Sequence, residues 1–143
     1  MKLLSDDLID VNYQHIDLYG WWTNVMGTAA LHANKNVVQL LLDRGGDCDI
    51  ANDWGGTPLY LAALNDRLDV VELLLDAGAD PNKTANNGHT PLYYAVWNSL
   101  DMVKLLINSG ARCTSAHIAR ARVCGKMDIV TFLNGGGLED PKT

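Results

Sequence analysis

The sequence has no long apolar run. A helix that crosses a bilayer needs about 18 consecutive apolar residues, and no window of the chain approaches that length. The apolar start at Met1–Leu4 is interrupted by Ser5, Asp6 and Asp7, so it is too short for the core of a secretory signal. The three cysteines are an odd number and cannot all pair within one chain. We therefore expect reduced thiols and a cytoplasmic protein, with the nucleus left open.

Basic residues are also scarce. Lys and Arg number 11 against 17 Asp and Glu, which gives a formal net charge of −6. Proteins that bind nucleic acid usually carry a basic face, and anionic membranes attract the same kind of surface. The charge balance therefore argues against nucleic acid and membranes as partners. At 143 residues and 48% hydrophobic content, the chain is long and apolar enough for one folded domain.

Residue groupings typical of catalytic or metal sites are missing. The four histidines are scattered and belong to no HExxH pair, and no Cys-x-x-Cys motif is present; they are His15, His32, His89 and His117. Neighbouring acids such as Asp47 and Asp49 are usually solvated surface charges. Gly135–Gly137 follows a predicted helix, whereas a phosphate-binding glycine loop opens one. The sequence predicts no catalytic residue, no metal and no cofactor.

A period of 33 residues organises the chain. The segment GGTPLYLAA at Gly55–Ala63 recurs as GHTPLYYAV at Gly88–Val96, an offset of 33. Downstream of these copies, DVVELLLDAGAD at Asp69–Asp80 matches DMVKLLINSGAR at Asp101–Arg112. An earlier copy and a shortened later copy complete the series, at Val37–Asp47 and Ile118–Gly137.

Each copy carries the signals of two short helices. Thr57 and Thr90 precede a proline that suits the first helical position, so each threonine is predicted to cap a helix. Apolar residues of Leu68–Leu75 recur at the three- and four-residue spacing of a second, amphipathic helix. Gly78 is predicted to end this helix in a left-handed conformation. The turn-rich stretch Asp80–Gly88 then indicates a hairpin-like finger.

These motifs resemble the ankyrin repeat family. Its TPLHxA, VVxLLL and GADxN signatures are represented here by TPLYLAA, DVVELLLDAGADPN, TPLYYAV and MVKLLINSGA. The resemblance implies an all-α solenoid of about four stacked helix-turn-helix units joined by β-turn or hairpin fingers. We expect a single domain over 1–143, with a partial N-terminal unit and elongated finger at 1–19, repeats at 20–50, 51–83 and 84–113, a short C-terminal repeat at 114–138, and a tail at 139–143.

The first and last units depart from the family pattern. At an offset of 33, Asn24 and Val25 stand where Thr57 and Pro58 belong. Thr23 would be the cap if one residue were inserted in that helix, so the register of the first unit is open by one residue. The segment from Arg112 onward has a local charge of +2. This excess fits either a polar cap of the repeat array or a contact with an anionic group.

The resemblance also implies a binding face. Ankyrin proteins bind partners on the concave surface made by the fingers and the exposed side of each first helix. The matching positions here are Trp21, Trp22, Leu31 and His32 in the first unit, Asp53, Trp54, Leu64 and Asn65 in the second, and Asn86, Asn87, His89, Trp97 and Asn98 in the third. All four tryptophans of the chain belong to this set, and tryptophan is a frequent hot-spot residue. The alternative role of Trp54 and Trp97 is packing within the fold.

We expect a non-catalytic, monomeric protein-protein interaction module or adaptor. Its partner is expected to be a protein with basic groups, because several aspartates surround the predicted face: Asp47, Asp49, Asp53 and Asp66. The alternatives are a regulatory or targeting domain of a larger enzyme or channel, an engineered binder on an ankyrin scaffold, and a small independent enzyme. The lost TPL motif of the first unit argues against an engineered scaffold.

Two asparagines also resemble the finger asparagines that ankyrin proteins offer to asparaginyl hydroxylases. They are Asn12 and Asn82, each of which lies eight residues after a Leu and two residues after an Asp, in the patterns Leu4-x5-Asp10-Val11-Asn12 and Leu74-x5-Asp80-Pro81-Asn82. The alternative role of these side chains is to hold the finger turn through hydrogen bonds to the backbone.

Overall fold

The computed structural model describes residues 11–16, 22–32 and 34–136. Residues 1–10 and 17–19 of the predicted partial unit and finger (1–19), the predicted site residue Trp21 and the predicted tail (139–143) lie outside the described residues. Within the described part, two short strands, β1 (Gln14–Ile16) and β2 (Trp22–Asn24), pair antiparallel with His15 opposite Thr23. They form a two-stranded pair in front of the first helix, and the predicted elongated finger over 1–19 stays a prediction.

Eight helices follow within the described ranges, in four successive pairs. They are α1 (Val25–His32), α2 (Lys35–Asp43), α3 (Pro58–Leu64), α4 (Leu68–Asp76), α5 (Pro91–Asn98), α6 (Leu100–Asn108), α7 (Ser115–Val123) and α8 (Met127–Thr131). One wide helical turn, Phe132–Gly136, continues from α8. The first helices of each pair contact one another in succession, and so do the second helices, which gives two helix layers. The structure therefore confirms the predicted all-α repeat solenoid.

The core lies along the seams between the pairs. Leu59 and Leu92 of the first helices and Leu74 and Leu106 of the second helices are fully buried. Alanines fill the closest approaches between first helices, and Ala62, Ala63 and Ala95 are likewise inaccessible to solvent. Small side chains let neighbouring helices lie close, while the larger apolar ones fill the space between layers. One continuous core thus extends from α1 to the end of α8.

The two helices that begin after a Thr-Pro pair are capped differently. The Thr57 hydroxyl accepts a hydrogen bond from the Tyr60 N–H at 3.2 Å, as predicted. The Thr90 side chain makes no capping bond, and its Oγ1 lies 3.5 Å from Nε2 of His117 instead. The prediction of a side-chain cap at Thr90 is therefore wrong, because that hydroxyl is turned toward the next unit.

The register of the first unit follows from its own cap. Asn24 Oδ1 accepts a hydrogen bond from the Gly27 N–H at 2.6 Å, three residues on, just as Thr57 does with Tyr60. Asn24 thus occupies the threonine position at an offset of 33, and no residue is inserted in α1. Leu31 and His32 consequently correspond to Leu64 and Asn65.

The turns between units are tied by side chains that accept backbone N–H groups of the following unit. Asn12 Oδ1 accepts from the Asp47 N–H at 2.8 Å. Asp49 accepts from the Asp80 N–H at 3.0 Å, and Asn82 from the Arg112 N–H at 2.8 Å. Asn12 and Asn82 therefore hold the turns, as the structural interpretation of these asparagines required; their hydroxylation stays a prediction.

The capping bond of Asn24 can be tested by substitution. Asn24→Ala should lower the free energy of unfolding by about 1 kcal/mol, because the Gly27 N–H loses its buried acceptor. Asn24→Ser keeps a capping oxygen and should retain most of the stability. Urea unfolding followed by circular dichroism measures both. Equal losses in the two variants would contradict this role of Asn24.

Candidate partner-binding surface

The second and third fingers lie side by side. Asn86 donates its N–H to the Trp54 carbonyl at 2.8 Å, and its Nδ2 donates to the Asp53 carbonyl at 3.2 Å. Asn87 Nδ2 reaches the Tyr60 hydroxyl at 3.3 Å, which links the third finger to α3. We call the surface formed by residues 52–56, residues 85–89 and the exposed sides of the first helices the finger face.

Trp54 is built into the second finger. Its ring packs edge-on against Tyr60 with centroids 5.5 Å apart, and it is half-buried. A Cβ at position 56 would come within 2.8 Å of the Trp54 ring, so the glycine there makes room for the indole. The Asn52 carboxamide holds this turn by accepting the N–H groups of Trp54 and Gly56. The structure thus supports the packing role for Trp54, with one part of the ring left at the surface.

The ends of the first helices are linked in a repeating manner. Asn65 Nδ2 donates to the Leu31 carbonyl at 2.9 Å, and Asn98 Nδ2 donates to the Ala63 carbonyl at 2.5 Å. Lys126 continues the series by donating to the Asn98 carbonyl at 3.2 Å. Each side chain donates to a carbonyl at the C-terminal end of the preceding first helix, where the intrahelical hydrogen bonds run out. The amides of Asn65 and Asn98 are therefore engaged inside the fold, while Leu64 beside Asn65 is 39% exposed.

A stack of four side chains crosses the third and fourth units. The imidazole of His89 lies 3.5 Å from the Tyr93 ring, and the Arg120 guanidinium lies 3.7 Å from the same ring. Arg120 also lies 4.5 Å from the ring of Trp97, and its Nε donates to the Tyr93 carbonyl at 2.9 Å. Such cation–π contacts fix the orientation of an arginine between two rings. Trp97 is held in place on one side, yet it remains 57% exposed.

A chain of hydroxyl groups lies behind this stack. Tyr60 donates its hydroxyl proton to the Tyr94 hydroxyl at 3.1 Å, and the Tyr94 hydroxyl lies 3.5 Å from Nδ1 of His89. Burial, together with donation to Tyr94, raises the pKa of the Tyr60 hydroxyl to about 12. At neutral pH Tyr60 is therefore a structural donor that connects α3 to α5.

A largely apolar cavity of about 350 Å³ opens at the other end of the finger face. It lies between the β-hairpin, α1 and the second finger. Its lining residues are His15, Ile16, Thr23, Gly27, Thr28, Leu31, His32, Asn52, Trp54 and Leu61. The cavity brings Leu31 and His32 of the first unit together with Trp54 of the second.

The predicted site residues in the described part of the chain thus fall into separate groups. Leu31, His32 and Trp54 meet at the apolar cavity, whereas His89 and Trp97 belong to the stack around Arg120. Asp53, Asn86 and Asn87 join the two neighbouring fingers. Trp22 begins β2.

Sequence reasoning missed the tyrosines and the arginine that organise the stack. Tyr93 lies 33 residues after Tyr60, so the repeat period predicts its position on α5, the first helix of the third unit. Arg120 lies 27 residues after Tyr93, where the shortened connection breaks the period. The sequence shows the local excess of basic residues around Arg120, but the spacing does not identify the aromatic rings that its guanidinium contacts.

The described residues offer little for metal or membrane chemistry. No group of three or more His, Cys, Asp or Glu side chains among them could hold a metal ion. No helix in the described part of the chain is long and apolar enough to cross a membrane.

The raised pKa of Tyr60 predicts a specific loss of stability at high pH. The folded protein keeps the Tyr60 proton up to about pH 12, whereas the unfolded chain loses it near pH 10. The unfolded state binds fewer protons in that interval, so stability falls as pH rises. Between pH 10 and 12, the wild-type protein should lose about 1 kcal/mol more than Tyr60→Phe does. Urea unfolding of both proteins across this range measures the difference, and parallel pH curves would contradict it.

Comparison with known proteins identifies the family. The family model described as ankyrin repeats (3 copies) matches residues 3–85 and 26–117, which together span most of the chain. No curated protein matches the chain. Ankyrin repeats are generally protein-protein interaction modules and are typically non-catalytic. With its paired helices, its fingers and this match, the chain belongs to the ankyrin repeat family.

Proposed function

We propose that this chain is a non-catalytic interaction module that binds a protein partner across its finger face. The observation that carries the proposal is Trp97, a large aromatic side chain that is 57% exposed and held against Arg120. A fixed indole offers a broad contact area and loses little conformational entropy on binding. Trp97 would therefore be a central contact of the interface.

The apolar cavity supports the same surface. It admits a medium-sized apolar side chain, and its walls come from the hairpin, α1 and the second finger. Leu31, His32 and Trp54 would contact that side chain. The partner would then reach from this cavity toward Trp97, passing Asn86 and Asn87 on the joined fingers.

Basic groups of the partner would lie near the second finger. Asp53 is exposed there, and a small polar hollow beside it is lined by Gln14, Thr23 and Asn52. Opposite charges at this position would orient the partner and speed its association. We further propose that the protein acts as a cytoplasmic, monomeric adaptor, with neither nucleic acid nor membrane as its partner.

The role of Trp97 can be tested against an equally exposed residue of the other helix layer. Trp97→Ala should weaken binding by at least about tenfold, which is the loss typical of an interface hot spot. Met127→Ala is the matched control, because Met127 is 59% exposed and begins α8, a second helix. Partners captured from the native host on the immobilised chain would be identified by mass spectrometry and then titrated by calorimetry. Unchanged affinity of Trp97→Ala for every captured partner would refute the finger-face interface.

A further inference from the structure

We propose that the groove between the third finger and α7 binds carboxylate side chains from an acidic segment of the partner. This inference rests on the proposed function and names the chemistry of one end of the same face. The groove has a volume of about 420 Å³. Its polar lining comprises Asn82, Thr84, His89, Thr90, Tyr93, Arg112, Thr114 and His117.

The charge of the groove favours an anion. No carboxylate lines it among the described residues, and Arg112 contributes an exposed guanidinium. The backbone N–H of Arg112 donates to Asn82 Oδ1, and the guanidinium takes no part in that bond. An arginine beside several hydroxyl groups provides both charge and hydrogen-bond donors for a carboxylate.

The walls of the groove are held in position before any ligand binds. Asn82 ties the two sides together, because it accepts the Arg112 N–H and donates Nδ2 to the Gly110 carbonyl at 3.0 Å. His117 Nδ1 accepts the Thr114 N–H at 3.0 Å, and its Nε2 lies 3.5 Å from Oγ1 of Thr90. A ligand would therefore meet fixed polar groups, which lowers the entropy lost on binding.

The positive charge near the groove favours a carboxylate ligand. Burial and the positive charge of Arg120, with a further contribution from His89, lower the pKa of His117 from its ordinary value. His117 therefore stays neutral near pH 7 and keeps its bonds to Thr114 and Thr90. The charge of Arg120, the second cause of this shift, is thus felt at the wall of the groove, and its sign favours an anion.

A carboxylate fits the groove better than a phosphate does. Phosphate groups on proteins are usually recognised by clusters of arginines, and a single guanidinium lines this groove. The volume of the groove also accommodates more than one small side chain, as an acidic peptide would present. The partner would thus carry basic groups near the second finger and acidic groups near the third, an arrangement that gives it one direction along the face.

Titration of the full chain with short peptides tests the inference. The probe is hexaglutamate, acetylated and amidated at its ends, and the comparison ligands are blocked hexalysine and inorganic phosphate. Backbone NMR shifts are followed at low ionic strength. Hexaglutamate should produce saturable shifts at the amides of Thr84, Arg112 and His117, and 0.5 M salt should weaken them, because salt at about that concentration screens exposed charges.

Arg112→Gln supplies the decisive variant. It should weaken hexaglutamate binding by about tenfold, because it removes the cation while its backbone bond to Asn82 remains. Arg122→Gln is the matched control: Arg122 is also exposed, does not line the groove, and its replacement removes the same charge. The control should stay within about twofold of the wild type, as expected for a solvent-screened charge outside the groove.

Three results would overturn the inference. These are equal weakening in the two arginine variants, shifts that map outside the groove, and binding of phosphate in the groove without binding of hexaglutamate. The Trp97 experiment fails or succeeds independently. If Trp97→Ala abolishes partner binding while Arg112→Gln leaves hexaglutamate binding unchanged, the interaction face stands and the carboxylate site is wrong.

Discussion

The whole structure depends on one constraint: no unit can bury its apolar surface alone. The described helices have between five and nine residues, which is too short for stability in isolation. Each helix pair therefore buries its leucines and alanines against the next pair. Several backbone groups at the turns and helix ends also depend on the neighbouring unit, because its side chains are their hydrogen-bond partners. Asn82 on the Arg112 N–H and Asn98 on the Ala63 carbonyl are examples. Both the apolar packing and the hydrogen bonding of these backbone groups are thus completed at the seam between units.

This dependence also shapes the finger face. Tyr60 meets Tyr94 across one seam, and Arg120 meets Tyr93 and Trp97 across the next. A functional side chain on one unit is consequently oriented by a residue about one repeat away. Trp97 illustrates the result, because a residue on α7 holds an indole that belongs to α5. Side chains held in this way are suited to binding without reorganisation.

The sequence was sufficient for the fold and insufficient for much of the site. The 33-residue period predicted the helix pairs, and Thr57 was identified as a cap because it precedes a proline at the first helical position. Asn24 and Thr23 are both good caps, so only the bond to Gly27 decided the register. Trp54 could be placed on the finger, but its inward packing depends on Gly56 and Tyr60 together. Arg120 could not be matched with Tyr93, because the shortened third connection breaks the period between them.

Net charge proved a coarse guide to the chemistry of the face. The chain is acidic overall, yet several of its aspartates serve the turns: Asp47 accepts the Asp49 N–H, Asp49 accepts the Asp80 N–H, and Asp80 accepts the Asn82 N–H. These N–H dipoles offset part of the negative charge that the aspartates would otherwise present. The groove beside Arg112 has no carboxylate in its described lining, so its local field opposes the net charge of −6. If the proposed interaction face is correct, a partner's charge would be selected position by position along the seams, and the sign of the whole chain would not decide it.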